Sequence, residues 1–193
     1  LKAAELVRQA VPNVRFAVAA FKPHQAELCR KAIEDVPLPI EVHTGKTPEL
    51  IRLADCCMAV SGSVSLELLA QVKPAVILYW ISRPAFFVQS FFRKVKYITL
   101  VNLLNADELY PQDITLYDPR QADADRVLFP EYLTCEDKSP QIATHVIQWL
   151  TDSNARARRV ADLGRLRDRV SGCGASAKAA AFLLTELEQR GAA

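Results

Sequence analysis

Cys57-Met58-Ala59-Val60-Ser61-Gly62-Ser63-Val64-Ser65-Leu66-Glu67 is the stretch around which the chain is organised. Residues 57–60 are apolar enough for a short buried strand, and Ser61-Gly62-Ser63 make a tight turn. Val64 to Val72 reads as a helix, because Leu66, Leu69 and Ala70 recur at helical spacing. The first amides of a helix have no internal partner and the peptide dipoles turn their positive end there. A turn without bulky side chains therefore lets a phosphate come close, and a nucleotide diphosphate fits such a turn. Glu67 falls about one helical turn inside, on the face of Ser63, where a carboxylate can accept from two neighbouring ribose hydroxyls. Strand, Ser/Gly turn and helix also occur in α/β domains that bind nothing, since Ser is a favoured cap and an acidic first turn suits the dipole.

Outward from that stretch, elements alternate. Lys2 to Ala10 is an amphipathic helix stopped by Pro12-Asn13, and Val14 to Phe21 is an apolar strand. Pro23 opens a helix whose Gln25 to Val36 carry Leu28, Ala32 and Ile33 in helical register, and Ile40 to Thr44 is a second strand. Gly45 breaks it, and a short helix with Thr47 as cap and Pro48 in its first position runs to about Cys56. After the opening stretch come a strand over Pro74 to Trp80, a helix over Arg83 to Val95 and a fifth strand over Tyr97 to Leu104. Continuous apolar strands alternating with helices predict an α/β fold, a Rossmann-like, doubly wound parallel sheet. Ligands bind such sheets beyond the carboxyl ends of the strands, where Ser61 to Ser63, Tyr79 to Ser82 and Asn102 to Glu108 fall. Neither GxGxxG nor GKS/GKT occurs, which disfavours dinucleotides and P-loop nucleotides.

Tyr110 to Lys138 changes character, with acidic residues, several prolines and little periodicity, and reads as a long surface loop that Val127-Leu128-Phe129-Pro130-Glu131-Tyr132-Leu133 could anchor. Three helices close the chain: Ser139 or Pro140 to Leu150, Asn154 to about Val170, and Ala175 to Arg190, the last after Gly172-Cys173-Gly174. This divides the chain into a nucleotide-binding unit over 1–138 and C-terminal helices over 139–193.

Half of the 193 residues are hydrophobic, enough for a full core, and the formal charge of +2 implies no nucleic-acid partner. Five cysteines, Cys29, Cys56, Cys57, Cys135 and Cys173, form no CxxC pair, which fits buried thiols in a reducing, cytoplasmic compartment. The longest apolar run, about eight residues, is far short of the roughly 20 that span a bilayer. No signal peptide is evident and no initiator Met is present, so the chain is expected to begin inside a longer protein. His24, His43 and His145 lack ligand spacing, and no metal is expected. Ser61-Gly62-Ser63 lacks the GxSxG pattern of a nucleophile elbow.

Two further clusters read first as structure. In Arg83 to Lys96, Val88, Phe91, Phe92 and Val95 form a core stripe, although Phe86 and Phe87 widen the apolar surface and the flanking cations could meet anionic lipid or phosphate. Arg156, Arg158, Arg159, Arg165, Arg167 and Arg169 read as a solvated helix face. Asn102 reads as ending a strand at the ligand edge, with a donor and acceptors to offer.

Taken together, Ala54-Asp55, Ser61-Gly62-Ser63-Val64-Ser65-Leu66-Glu67, Pro74-Ala75-Val76-Ile77-Leu78-Tyr79 and Leu100-Val101-Asn102-Leu103-Leu104 with Glu108 resemble lipid-A-disaccharide synthase. That family carries an ASGTxxLE segment, a PMVVxYR strand and an LPNLLAGRE loop, and the resemblance runs along its C-terminal half. It implies one half of a B-type glycosyltransferase that uses UDP-2,3-diacylglucosamine and lipid X to form the lipid A disaccharide, peripheral to the cytoplasmic face of the inner membrane. By position, Ser61, Gly62, Ser63 and Glu67 would hold the diphosphate and ribose of UDP, with Asn102 and Glu108 near the sugar or phosphates. No cofactor is implied. The catalytic base and acyl-chain surface of the family lie in its N-terminal half, so this chain alone is expected to be inactive. Exchanged C-terminal helices in the family imply a homodimer, or packing of 139–193 on an N-terminal domain.

The chain departs from the family pattern where Ser63 stands for Thr, Trp80 for Arg, and Ala106 and Asp107 for the Gly and Arg of LAGRE. Positive charge is thereby lost on the phosphate side. Residues from about 109 to 128 are an insertion before Phe129-Pro130-Glu131. The residues themselves also admit a non-catalytic α/β interaction module, or another UDP-sugar enzyme such as a UDP-N-acetylglucosamine epimerase.

Overall fold

The computed structural model describes residues 1–60, 62–171, 179–185 and 187. Ser61, Cys173 with its flanking glycines, and half of the expected helix over 175–190 lie outside the described residues, while residues 179–185 and 187 are helical.

The elements are α1 (Lys2–Ala10), β1 (Phe16–Ala20), α2 (Pro23–Ile33), β2 (Ile40–Thr44), α3 (Thr47–Leu53), β3 (Cys57–Val60), α4 (Val64–Ala70), β4 (Ala75–Trp80), α5 (Arg83–Phe92), α6 (Leu100–Asn105), β5 (Glu131–Thr134), α7 (Ser139–Thr151) and α8 (Ser153–Val170), with a 3₁₀ turn at Ala124–Arg126. Every strand pairing is parallel: β1 with β2, and β4 between β3 and β5. Successive side chains of β4 point to opposite faces, and both faces are covered. Val76 joins Ala3 and Val7 of α1 with Ile142, Val146 and Trp149 of α7. Ala75 and Ile77 join Ile51 of α3, Leu68 and Leu69 of α4, and Leu163 and Leu166 of α8. Each Val, Leu or Ile among them, fully buried, contributes about 1.5–3 kcal/mol relative to exposure. The chain is thus a Rossmann-like α/β fold with two parallel sheets, β1-β2 and β3-β4-β5, the second covered on both faces.

Two expectations are corrected. The strand expected over Tyr97 to Leu104 is a turn followed by α6, and the slot beside β4 is filled by β5, with Ile77 opposite Glu131 and Trp80 opposite Thr134. A short apolar run fits a buried helix as well as a strand, and here Thr99 precedes α6, whose buried residues are the adjacent Val101 and Asn102. The expected surface loop over Tyr110 to Lys138 therefore contains a strand whose four residues are all buried.

The second correction concerns α5. Phe86, Gln89 and Arg93, at helical spacing, are partly buried, while Phe87, Val88, Phe91 and Phe92 are exposed. The stripe read as core faces away from the fold.

The end of α4 explains how its turn is held. Val72 has φ of 47°, its N–H donates to Leu69 O, and Lys73 N–H donates to Leu68 O. This is the Schellman closure, with a β-branched residue where Gly is usual, at a cost of about 1–2 kcal/mol. Val72 offsets this by packing on the α4 and α8 core, and the Lys73 ammonium bonds Arg52 O and Ala54 O at 2.8 and 2.7 Å, fastening the end of α3.

His145 of α7 sits among Tyr117 of the inserted segment, Tyr132 of β5 and Trp149, with its Nε2 2.9 Å from the Tyr132 hydroxyl. Burial, helped by the Arg159 guanidinium, lowers its pKa to about 4 from 6.5. The folded value lies below the unfolded one, so the contribution of the neutral ring is complete above pH 6.5 and is lost as pH falls towards 4. Discounted for its partial exposure, the loss between pH 7 and 5 is about 1.5 kcal/mol. Urea unfolding of wild type and His145→Gln at both pH values is expected to show that much less pH dependence in the variant.

Candidate functional site

β3 delivers the chain to the turn at the carboxyl edge of the sheet. Gly62 has φ of +150°, a conformation L side chains rarely adopt, and a Cβ added there would meet nothing within 4 Å. The turn is thus closed by backbone geometry that suits glycine and is open above it. Ser65 is buried and directs its hydroxyl back to Gly62 O at 2.8 Å, while its N–H reaches the same carbonyl at 3.1 Å and Leu66 N–H reaches Ser63 O at 3.0 Å. Leu68 and Leu69 anchor α4 in the core, which leaves Gly62, Ser63 and Glu67 exposed together. The Glu67 carboxylate makes no hydrogen bond among the described residues. Ser61, expected beside them, lies outside the described residues.

Asn102 is placed differently from its expected strand end. It lies within α6, 2% exposed, and its amide is occupied by the protein itself. Its Nδ2 donates to Phe129 O at 2.7 Å and to the Glu131 carboxylate at 2.9 Å, and its Oδ1 accepts from Phe129 N–H at 3.0 Å. Glu131 also accepts from Ile98 N–H at 2.6 Å and Thr99 N–H at 2.9 Å. The carboxylate therefore holds the start of α6 against β5. Burial raises its pKa despite those donors, so ionisation costs free energy that the hydrogen bonds only partly offset. Arg93 lies close enough to favour the ionised form, and its own Nε and Nη1 are buried without a hydrogen-bond partner among the described residues.

Glu108 and Asn102 both line one cleft. A hollow of about 260 Å³ is lined by residues of the α5–α6 turn, α6 and the inserted segment, among them Lys96, Asn102, Asn105, Glu108, Asp123 and Arg126. The cations there are paired, Lys96 with Asp123 at 2.7 Å and Arg126 with Asp107 at 2.8 Å. Such a lining of carboxylates and amides suits hydroxyl-rich ligands better than an unaccompanied diphosphate. Because α6 packs on α4, the cleft and the Gly62 turn belong to neighbouring elements.

Glu131 and the inserted segment's Asp123 and Arg126 were not candidates from sequence. Phe129-Pro130-Glu131, where the family pattern resumes after the insertion, was the signal for the first. The α8 arginines are also more than a solvated face. Arg159 donates to Val127 O at 2.7 Å, Arg169 to Leu104 O at 3.2 Å, and Arg156 pairs with Asp55 at 2.6 Å, so α8 holds the loops around the cleft. Cys56 and Cys57 are pushed up by burial to about 12 and about 11, which makes them unreactive thiols.

Residues 1–161 match the model of the family described as lipid-A-disaccharide synthetase. The lipid-A-disaccharide synthase of Trichlorobacter lovleyi is 27% identical over 190 residues, covering 98% of this chain and 44% of that protein. The synthase of Anaeromyxobacter dehalogenans is 27% identical over 189 residues, 95% of this chain and 43% of that protein. That of Pseudomonas putida is 30% identical over 112 residues, 58% of this chain and 30% of that protein. The chain thus spans less than half the length of these relatives. With the match running from α1 into α8 through both the Gly62 turn and the α6–β5 unit, the chain belongs to the lipid-A-disaccharide synthetase family.

Proposed function

We propose that this chain is the sugar-nucleotide-binding half of a glycosyltransferase that takes UDP-2,3-diacylglucosamine as donor and lipid X as acceptor and forms the lipid A disaccharide. The observation that carries the reading is the family match over residues 1–161, which includes an exposed Gly62-Ser63 turn with a carboxylate one helical turn away.

In this reading the diphosphate lies over the open turn, met by the Ser63 and Val64 N–H groups, which precede the first amides of α4 bonded among the described residues, and by the Ser61 and Ser63 hydroxyls. Glu67 accepts from both ribose hydroxyls. Glu108 meets sugar hydroxyls at the mouth of the α6 cleft, and Asn102 holds the floor of that cleft through Phe129 and Glu131. Negative charge developing on the leaving diphosphate is stabilised by fixed backbone dipoles, with no metal or cofactor assigned. The base that activates the acceptor hydroxyl is assigned to the part of the relatives that this chain does not cover.

The proposed setting is the cytoplasmic face of the inner membrane, with the protein peripheral to it. Among the described residues no helix is long and apolar enough to cross a membrane. A homodimer is part of the same reading, supported by the exposed Phe182, Leu183, Leu184 and Leu187.

Calorimetric titration with UDP tests the assignment. Glu67→Ala is expected to weaken binding by about 1.5–3 kcal/mol, roughly 10- to 150-fold, through loss of hydrogen bonds to a charged group. Equal affinity in the variant removes Glu67 from the site. The same chain, given donor and acceptor, is expected to release no UDP.

A further inference from the structure

α5 is built the wrong way round for a helix of a closed domain. No residue of it is fully buried, and its more apolar face points outward. Phe87 is 65% exposed, Val88 53%, Phe91 70% and Phe92 76%. At about 100° per residue these four share a sector of about 140°. Phe86, Gln89 and Arg93 occupy the opposite side and face the fold, all partly buried. Phe87 and Phe91 pack edge to face at 4.9 Å, so the outward surface is an ordered aromatic ridge. Trp80, 58% exposed at the end of β4, lies just before α5 in the chain.

The charge pattern around the ridge is one-sided. No Asp or Glu occurs between Glu67 and Asp107, while Lys73, Arg83, Arg93, Lys94 and Lys96 do. Lys73 and Lys96 are committed to Arg52 O, Ala54 O and Asp123. Arg83 and Lys94 are exposed at the two ends of the helix and enter no ion pair among the described residues. An aromatic face framed by unpaired cations, in a stretch of sequence that carries no carboxylate, complements a surface that is apolar below and anionic above.

We propose that α5 is a membrane-docking helix, lying in the interface of an anionic phospholipid bilayer with Phe87, Val88, Phe91 and Phe92 inserted and Arg83 and Lys94 at the headgroups. This deepens the proposed function and rests on it for the lipid substrates, since docking through α5 holds the cleft-bearing end of the sheet at the surface where acylated sugars reside.

The test is co-sedimentation of the chain with vesicles of phosphatidylglycerol and phosphatidylethanolamine, beside vesicles of phosphatidylcholine alone. The chain is expected to bind the anionic vesicles and to bind the neutral ones much more weakly. Phe87→Ser with Phe91→Ser is expected to lower the partition coefficient at least about tenfold. Arg83→Gln with Lys94→Gln is expected to lower it about 25-fold at low salt, about fivefold for each cation. Because these side chains are exposed, thermal unfolding should be unchanged, and UDP titration of the same variants reads the nucleotide site separately. Vesicle binding that is absent, or undiminished in the double Ser variant, overturns the proposal. So does a dimer, seen by sedimentation, that the double Ser variant alone dissociates while vesicle binding persists, since α5 would then cover a second copy.

Discussion

Replacing Glu131 by alanine is expected to lower the stability of the chain by about 3–5 kcal/mol and its melting temperature by roughly 10 °C. The carboxylate is 4% exposed and receives three donors, the N–H groups of Ile98 and Thr99 and the Asn102 amide. Its removal leaves those donors buried without an acceptor and takes from Arg93 the opposing charge that favours its protonated form. Breaking such a unit costs more than the unit contributes when intact, because the orphaned groups keep their desolvation penalty. Glu131→Gln retains the volume and one acceptor oxygen and is expected to lose about 1–2 kcal/mol.

The pH dependence carries an opposite sign from that of His145. The folded-state pKa of Glu131 is raised, so its protonated form is favoured by folding, and that stabilisation is lost as pH rises through the raised value. Urea unfolding at a fixed, near-neutral pH measures the mutational effect. A loss under about 1 kcal/mol for Glu131→Ala would mean that water replaces the carboxylate at little cost.

Phe129→Ala is expected to cost about 3–5 kcal/mol, by the combined transfer and cavity terms for a buried aromatic ring. Phe129 has no exposed surface, and its neighbours come from four helices: Ile51 of α3, Leu68 and Leu69 of α4, Val101 of α6, and Leu163 and Leu166 of α8. The same residue is gripped on both backbone groups by Asn102, which fixes where the ring enters the core. Phe129→Leu leaves a smaller void and is expected to cost about 1–2 kcal/mol. Thermal unfolding of the two variants measures the difference. Equal losses would show that the site collapses around either side chain.

The elements legible in sequence are those in which local signals agree. α1, α2, α7 and α8 carry apolar residues at helical spacing with breakers at their ends, and the β3–turn–α4 unit combines an apolar run with small turn residues. β5 was hidden because Glu131-Tyr132-Leu133-Thr134 begins with a carboxylate inside an acidic, proline-containing segment. A Glu there looks solvated until its three donors, all distant in sequence, are known. α6 was hidden for the converse reason. Ile98 to Val101 carries strand-like composition, and only the competition of β5 for the edge of β4 decides against a strand. The orientation of α5 could not be read from its periodicity, since a moment gives the direction of an apolar face but not what lies opposite it. At the candidate site, Gly62, Ser63 and Glu67 emerged from local chemistry. The inserted segment's share of the cleft, Asp123 and Arg126, depends on where a long irregular stretch folds back.

The central claim is that a uridine nucleotide binds over the Gly62-Ser63 turn. Amide hydrogen exchange of the chain with and without saturating UDP tests it most directly. Slowed exchange concentrated at Gly62 to Leu66 and in α4, lost in Glu67→Ala at the same UDP concentration, is the result predicted. Exchange unchanged across Gly62 to Ala70, whether UDP protects another segment or none, would contradict it.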